Sequence, residues 1–175
     1  MKKMILAGFG GQGILLCGQL LAYAAMTDGQ NVTWFPSYGP EMRGGAAACT
    51  IVVSEKPVGS PVVQFADVVL AASQPAFEKY KNSIAEGGTL VYHSAFVNIT
   101  EKRDGINYIG IDFAELTKDF PKAANIVMLG ALNGLTNCAS SDSLSKSLVY
   151  KFGNKNADML AVNEKAIEIG TKAVS

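Results

Sequence analysis

Histidine and cysteine are scarce in this chain of 175 residues: one His, His93, and three Cys, at 17, 49 and 138. The cysteines are far apart and none belongs to a C-x-x-C pair, which excludes a disulfide framework and a self-contained zinc or iron–sulfur site. All three sit in apolar stretches and read as buried free thiols of a reducing compartment. A histidine-based metal centre would need ligands from another chain. Charge is also scarce: only 17% of residues are Asp, Glu, Lys or Arg, and the signs cancel. That excludes the electrostatic footprint of a nucleic-acid-binding domain and a basic membrane-binding patch. Long apolar runs are absent too. The run after Met1-Lys2-Lys3-Met4 is broken by glycines from Gly8 onward, which a signal peptide does not tolerate. Residues 14–26 are too few to cross a bilayer and include Gln19. A cytoplasmic location is expected.

Apolar residues and glycine are abundant, at 49% of the chain and 18 residues respectively. The length suits one domain, 1–175, with a well-formed core, and the low charge suggests a buried partner surface. Residues 3–7 read as a buried strand, 14–27 as a helix apolar nearly all round, and 31–35 as a second strand. Strands are also expected at 49–53, 67–72, 89–92 and 106–109. Helices are expected from 74 or 75 to about 85, from Asp112 to about 118, over 123–138, from Ser141 or Asp142 through 149, and from 156 or 158 to about 173. Gly87-Gly88 reads as the stop of the helix that starts at 74 or 75. The order strand, glycine loop, helix, strand predicts a three-layer α/β/α fold around a mostly parallel, doubly wound sheet, with room for one or two antiparallel strands.

Gly8, Gly10 and Gly13 satisfy G-x-G-x-x-G between a predicted strand and a predicted helix. Glycines there let the backbone approach a phosphate, and the helix start offers N–H groups and the positive end of its dipole. The dinucleotide version also requires an acid at the end of the second strand. That strand ends Trp34-Phe35-Pro36-Ser37, without one, and the chain leaves no room for a substrate domain. Close helix–strand packing with no ligand remains the other reading. Gln12 can bond a partner or the next loop.

The most distinctive stretch is Ser37-Tyr38-Gly39-Pro40-Glu41-Met42-Arg43-Gly44-Gly45. It follows the second strand and should emerge beside the glycine loop, on the sheet edge where α/β proteins bind ligands. Arg43, among small residues, suits phosphate or carboxylate. A Glu41–Arg43 ion pair holding the loop is the alternative.

The two motifs together, in this order, resemble the paired signature of the gamma subunit of 2-oxoacid:ferredoxin oxidoreductases. Val52-Val53-Ser54 with Pro57 and Pro61, Ala66-Asp67-Val68, Ala124-Asn125-Ile126-Val127-Met128-Leu129-Gly130 and the segment from Asn163 to Gly170 extend the resemblance over the whole chain. It implies a Rossmann-like, non-catalytic subunit of an enzyme that oxidatively decarboxylates a 2-oxoacid (pyruvate, 2-oxoglutarate or ketoisovalerate) to acyl-coenzyme A and reduces ferredoxin. It further implies that partner alpha and beta subunits, with or without a ferredoxin-like delta subunit, hold thiamine diphosphate, magnesium and the iron–sulfur clusters, while this chain binds none of them and no metal. Gly8, Gly10, Gly11, Gln12, Gly13, Tyr38, Glu41, Arg43 and Gly44 would then face the phosphates of coenzyme A or the subunit junction. A homodimer of the isolated chain is compatible with that assembly.

No catalytic constellation is expected. His93 follows a predicted strand without a visible orienting partner and reads as a loop or core residue. Ser37, Ser54 and Ser94 lie outside any G-x-S-x-G elbow. Cys17 reads as core, and Asn125 as a cap or loop cross-link. A stand-alone nucleotide- or small-molecule-binding module is the competing function, and a self-sufficient α/β enzyme is a third.

Overall fold

Met4, Ile5, Leu6 and Ala7 follow one another without a polar residue, so a strand built from them must be covered on both faces. In the computed structural model, which describes residues 1–39, 45–153 and 157–175, β1 (Lys2–Phe9) is such a strand. Those four side chains are at most 1% exposed. Five further strands complete one sheet: β2 (Asn31–Tyr38), β3 (Ala46–Ser54), β4 (Ala66–Ala71), β5 (Ile84–His93) and β6 (Asn107–Ile111). Their spatial order is β2-β3-β1-β4-β5-β6. β1, β4, β5 and β6 are mutually parallel, whereas β3 runs antiparallel to both β1 and β2.

The mostly parallel α/β sheet matches expectation, but its first crossover does not lead to a neighbouring strand. β3 lies between β1 and β2 because the short connection after β2 folds β2 and β3 into a hairpin, pairing Tyr38 with Ala47 and Asn31 with Ser54. β2 also runs three residues past its expected end, through Pro36, Ser37 and Tyr38. A proline is tolerated there because β2 is an edge strand.

Helix α1 (Ile14–Thr27) lies on the face of the sheet that carries Met4, Leu6, Cys49 and Ile51. Its approach is close: a Cβ on Gly18 would stand 2.5 Å from Cys49 Sγ. The same face takes α3 (Phe113–Leu116), capped by Asp112 through the amides of Ala114 and Glu115. A short 3-10 turn (Pro121–Ala123) leads into α4 (Ala124–Thr136), followed by α5 (Ser141–Phe152) and α6 (Ala157–Lys172). α5 is capped by Ser140 rather than Ser141 or Asp142. Asp28, just past α1, accepts hydrogen bonds from Ser140 N, Ser140 Oγ and Ser143 Oγ, tying the end of one helix to the start of another.

The opposite face carries Ile5, Ala7, Val69, Ala71 and Leu90. Its only helix among the described residues is α2 (Gln74–Tyr80), so the third layer is thin. α2 stops at Tyr80, five residues before its expected end, because Ile84 already pairs with Ala66 as the start of β5. Gly87-Gly88 lies inside that strand, at a register shift, rather than ending a helix. Gly87 takes φ +75°, and a Cβ on Gly88 would crowd Asp67 O at 3.0 Å. Phe35, Val62 and Phe65 stay more than half exposed on this side of the molecule.

All three thiols are free and buried. Burial raises Cys17 well above the ordinary thiol value and pushes Cys49 up to about 12. Both are therefore protonated and unreactive at neutral pH.

α4 and α6 are packed without room for a methyl group. A Cβ on Gly170 would stand 2.0 Å from Val127 O, and one on Gly130 would stand 2.1 Å from Ile167 O. Gly170→Ala is expected to destabilise the protein by about 3 kcal/mol, whereas Gly59→Ala, with nothing within 4 Å, should stay within about 0.5 kcal/mol. Urea denaturation measures both, and equal midpoints for the two variants would refute the close contact.

His93, at the end of β5, is 3% exposed and packs against Phe96 and Phe113 at 4.3 and 5.4 Å between ring centroids. Its Nδ1 has no hydrogen-bond partner. Burial holds its pKa below 6.5, with Asp112 opposing that shift. The unfolded chain thus binds a proton at a pH where the folded one does not, so stability is complete above the unfolded value and is lost as pH falls below it. Thermal melts between about pH 7.5 and 5.5 should show a falling midpoint, and His93→Phe should flatten that slope.

Candidate functional site

The C-terminal edge of the parallel strands brings both sequence motifs together. β1 ends at Phe9 opposite Ala46, the first residue of β3. Gly10 N donates to Gly45 O at 2.8 Å, and Gly39 N donates to Ala46 O at 2.7 Å. The glycine loop is therefore stitched to the base of the β2–β3 hairpin. Glu41, Arg43 and Gly44, between the two strands, lie outside the described residues.

The glycines of the loop do different work. Gly8 is walled in, since a Cβ there would stand 2.4 Å from Gln12 Oε1. Gly13 caps α1 in the left-handed region (φ +74°), with the Asn125 side chain 2.7 Å from where its Cβ would be. Gly11 also has positive φ, +95°, but nothing lies within 4 Å of its missing Cβ. Its backbone is the open point of the loop.

Gln12 is spent inside the protein. Its Oε1 accepts from Phe9 N at 2.6 Å, and its Nε2 donates to Ala72 O at 3.1 Å, just past β4. The side chain spans the loop and fastens it to the sheet, so it fixes the shape of the loop rather than offering a free amide. α1 begins with no side-chain cap and no acid in its first turn. Its first N–H groups and dipole thus keep their positive potential.

Tyr38 ends β2 and is 73% exposed. With Phe9, Ser37, Ser73, Lys79 and Tyr80 it borders a cavity of about 150 Å³ beside the glycine loop. Lys79 and Tyr80 come from α2, with Lys79 Nζ 5.2 Å from the Tyr80 ring centre. Sequence reasoning missed both. They sit in an ordinary amphipathic segment, and only the fold of β4 into α2 brings them to this edge.

The described residues of the site offer backbone N–H groups, two phenols, hydroxyls and an ammonium group. Among the described residues it holds no His or Cys, because His93 is enclosed by aromatic rings and the thiols are in the core. Among the described residues no group of His, Cys, Asp or Glu could hold a metal ion, and three separate buried thiols do not fit an iron–sulfur cluster. Nor is any helix among them long and apolar enough to cross a membrane. The described residues of this edge can bind an anion or a neighbouring chain.

A family model described as pyruvate ferredoxin/flavodoxin oxidoreductase matches residues 3–173. The ketoisovalerate oxidoreductase subunit VorA of Methanothermobacter marburgensis is 36% identical over 172 residues, covering 96% of this chain and 35% of that protein. The 2-oxoglutarate synthase subunit KorC of Methanocaldococcus jannaschii is 36% identical over 170 residues, covering 93% of this chain and 91% of that one. This chain therefore spans about a third of VorA but most of KorC. Among solved structures, the gamma subunit of a keto/oxoacid ferredoxin oxidoreductase from Geobacter sulfurreducens superposes with TM-score 0.80 at 30% identity, over 99% of this chain and 98% of that one. A 2-oxoglutarate:ferredoxin oxidoreductase from Magnetococcus marinus superposes with TM-score 0.89 at 28% identity, over 99% of this chain and 31% of that one. By a match that runs from residue 3 to residue 173, this chain belongs to the pyruvate ferredoxin/flavodoxin oxidoreductase family.

Proposed function

We propose that this chain is the gamma-type subunit of a 2-oxoacid:ferredoxin oxidoreductase, in which partner subunits hold thiamine diphosphate, magnesium and the iron–sulfur clusters. The observation that carries the reading is the end-to-end match to a gamma subunit of such an enzyme, on a chain whose described residues at the loop edge suit binding. The relatives are named for ketoisovalerate, 2-oxoglutarate and pyruvate. One fold serving three 2-oxoacids is consistent with substrate choice lying in other subunits.

The relative from Magnetococcus marinus is described with coenzyme A and succinyl-CoA bound. In this chain the glycine loop, Gly8 to Gly13, lies beside the hairpin base at Gly39 and Gly45. With Tyr38, Glu41, Arg43 and Gly44, that edge would face the diphosphate of coenzyme A or the junction with the next subunit. The N–H groups of the loop and the α1 dipole suit a phosphate, and Arg43 suits it by charge and geometry. Gln12 acts as a positioning residue that keeps the loop open at Gly11. Phe35, Val62 and Phe65, exposed on the thinly covered side of the molecule, supply apolar area of the kind that a permanent partner covers.

Affinity purification of the tagged chain from its own cells should bring down the partner subunits and a coenzyme A-dependent 2-oxoacid oxidation, followed with a viologen dye. A chain recovered alone, stable and inactive, would support the independent binding module instead. In the assembled enzyme, Arg43→Ala should raise the KM for coenzyme A on the order of tenfold, as loss of one charge-assisted bond does, and leave the KM for the 2-oxoacid unchanged. An unaltered KM for coenzyme A in an intact complex refutes the phosphate role.

A further inference from the structure

A second opening lies away from the glycine loop. A cavity of about 550 Å³ lies among α1, α4, α5 and α6, with Leu16, Ile126, Phe152 and Val162 in its walls. α4 and α6 run parallel, since Gly130 meets Ile167 while Gly134 meets Thr171, four residues on in both helices. The contact lies at the middle of α4 but toward the end of α6, and the cavity opens beside the first turns of both helices.

Two carboxamides face this space. Asn163, on α6, is 6% exposed, and Asn125, on α4, is half-buried; both line the cavity. Neither side chain has a hydrogen bond to another described residue. A carboxamide open to a cavity can both donate to and accept from a molecule bound there. Here two of them border a volume within the range of about 300–1,000 Å³ common for small-molecule sites. Lys122 and Asp158 both border it, and Lys165 Nζ lies 5.8 Å from the ring centre of Phe120, another wall residue.

We infer that this cavity is a second binding site, distinct from the glycine-loop edge, for a small aromatic or heteroaromatic anion that carries both a hydrogen-bond donor and an acceptor. The apolar walls take the ring. A carboxamide donates and accepts side by side, which matches a ring edge with both functions better than an alkyl chain. Among the described residues here, Lys122 and the nearby Lys165 outnumber the carboxylate of Asp158 and favour a negative charge on the solvent side.

Anilinonaphthalene sulfonate, an aromatic amine with one anionic group, is a suitable probe for fluorescence titration of the full chain. One saturable site is expected. Asn163→Leu should weaken it about tenfold, Val162→Trp should abolish it by filling the mouth, and Lys122→Glu should weaken it roughly fivefold. Circular dichroism would check the fold of each variant. Lys122 is exposed, so its variant keeps the idea testable if a cavity variant fails to fold. Absence of saturable binding overturns the inference. So does binding that survives Val162→Trp and Lys122→Glu but is lost in Phe35→Ser with Val62→Ser, which would place the dye on the open side of the sheet.

Discussion

The two-sided burial of β1 is the constraint on which the rest of the structure depends. Met4 and Leu6 join the core beneath α1 and α4, while Ile5 and Ala7 join the core beneath α2. Each buried large apolar side chain contributes on the order of 2 kcal/mol, and that gain is available only if both layers and both neighbouring strands are in place. Because β1 is central, its end at Phe9 fixes where the glycine loop leaves the sheet. Pairing with β3 then fixes the hairpin base beside the loop, and pairing with β4 fixes Ala72, to which Gln12 is tied. The geometry of the candidate site is thus a consequence of strand register.

Glycine serves opposite purposes at the two ends of the helical layer. At Gly11 it leaves a backbone turn open to solvent. At Gly130 and Gly170 it removes the spacing that side chains normally impose between helices, and Thr171 Oγ1 donates to Gly130 O across the contact. The second arrangement binds the C-terminal helix firmly to the fold.

The three cysteines and the histidine are withdrawn from solvent. The Cys17 and Cys49 thiols are kept protonated by burial, and His93 is kept neutral by its apolar surroundings. Among the described residues, the open edge offers backbone donors, hydroxyls and one ammonium group, that of Lys79. Those groups suit the binding of an anion or of a neighbouring chain.

Much of this protein is legible without coordinates. The apolar run at β1, the glycines after it and the β-branched residues of β2 and β3 specify an α/β sheet with a phosphate-compatible loop, because each signal is local: periodicity, turn chemistry and the N–H groups of a helix start. The juxtaposition of the two motifs was also readable, since successive strands of such a sheet tend to end at one edge. Tertiary structure decided the rest. It inserted β3 between β1 and β2, turned Gly87-Gly88 from a helix stop into a strand irregularity, and consumed Gln12 in a bond to Ala72, 60 residues away. It also brought Lys79 and Tyr80 to the loop, and Asn125 and Asn163 to one cavity. Those outcomes depend on contacts between residues remote in the chain, and the energy of such a contact appears only when the whole sheet and its helices are packed.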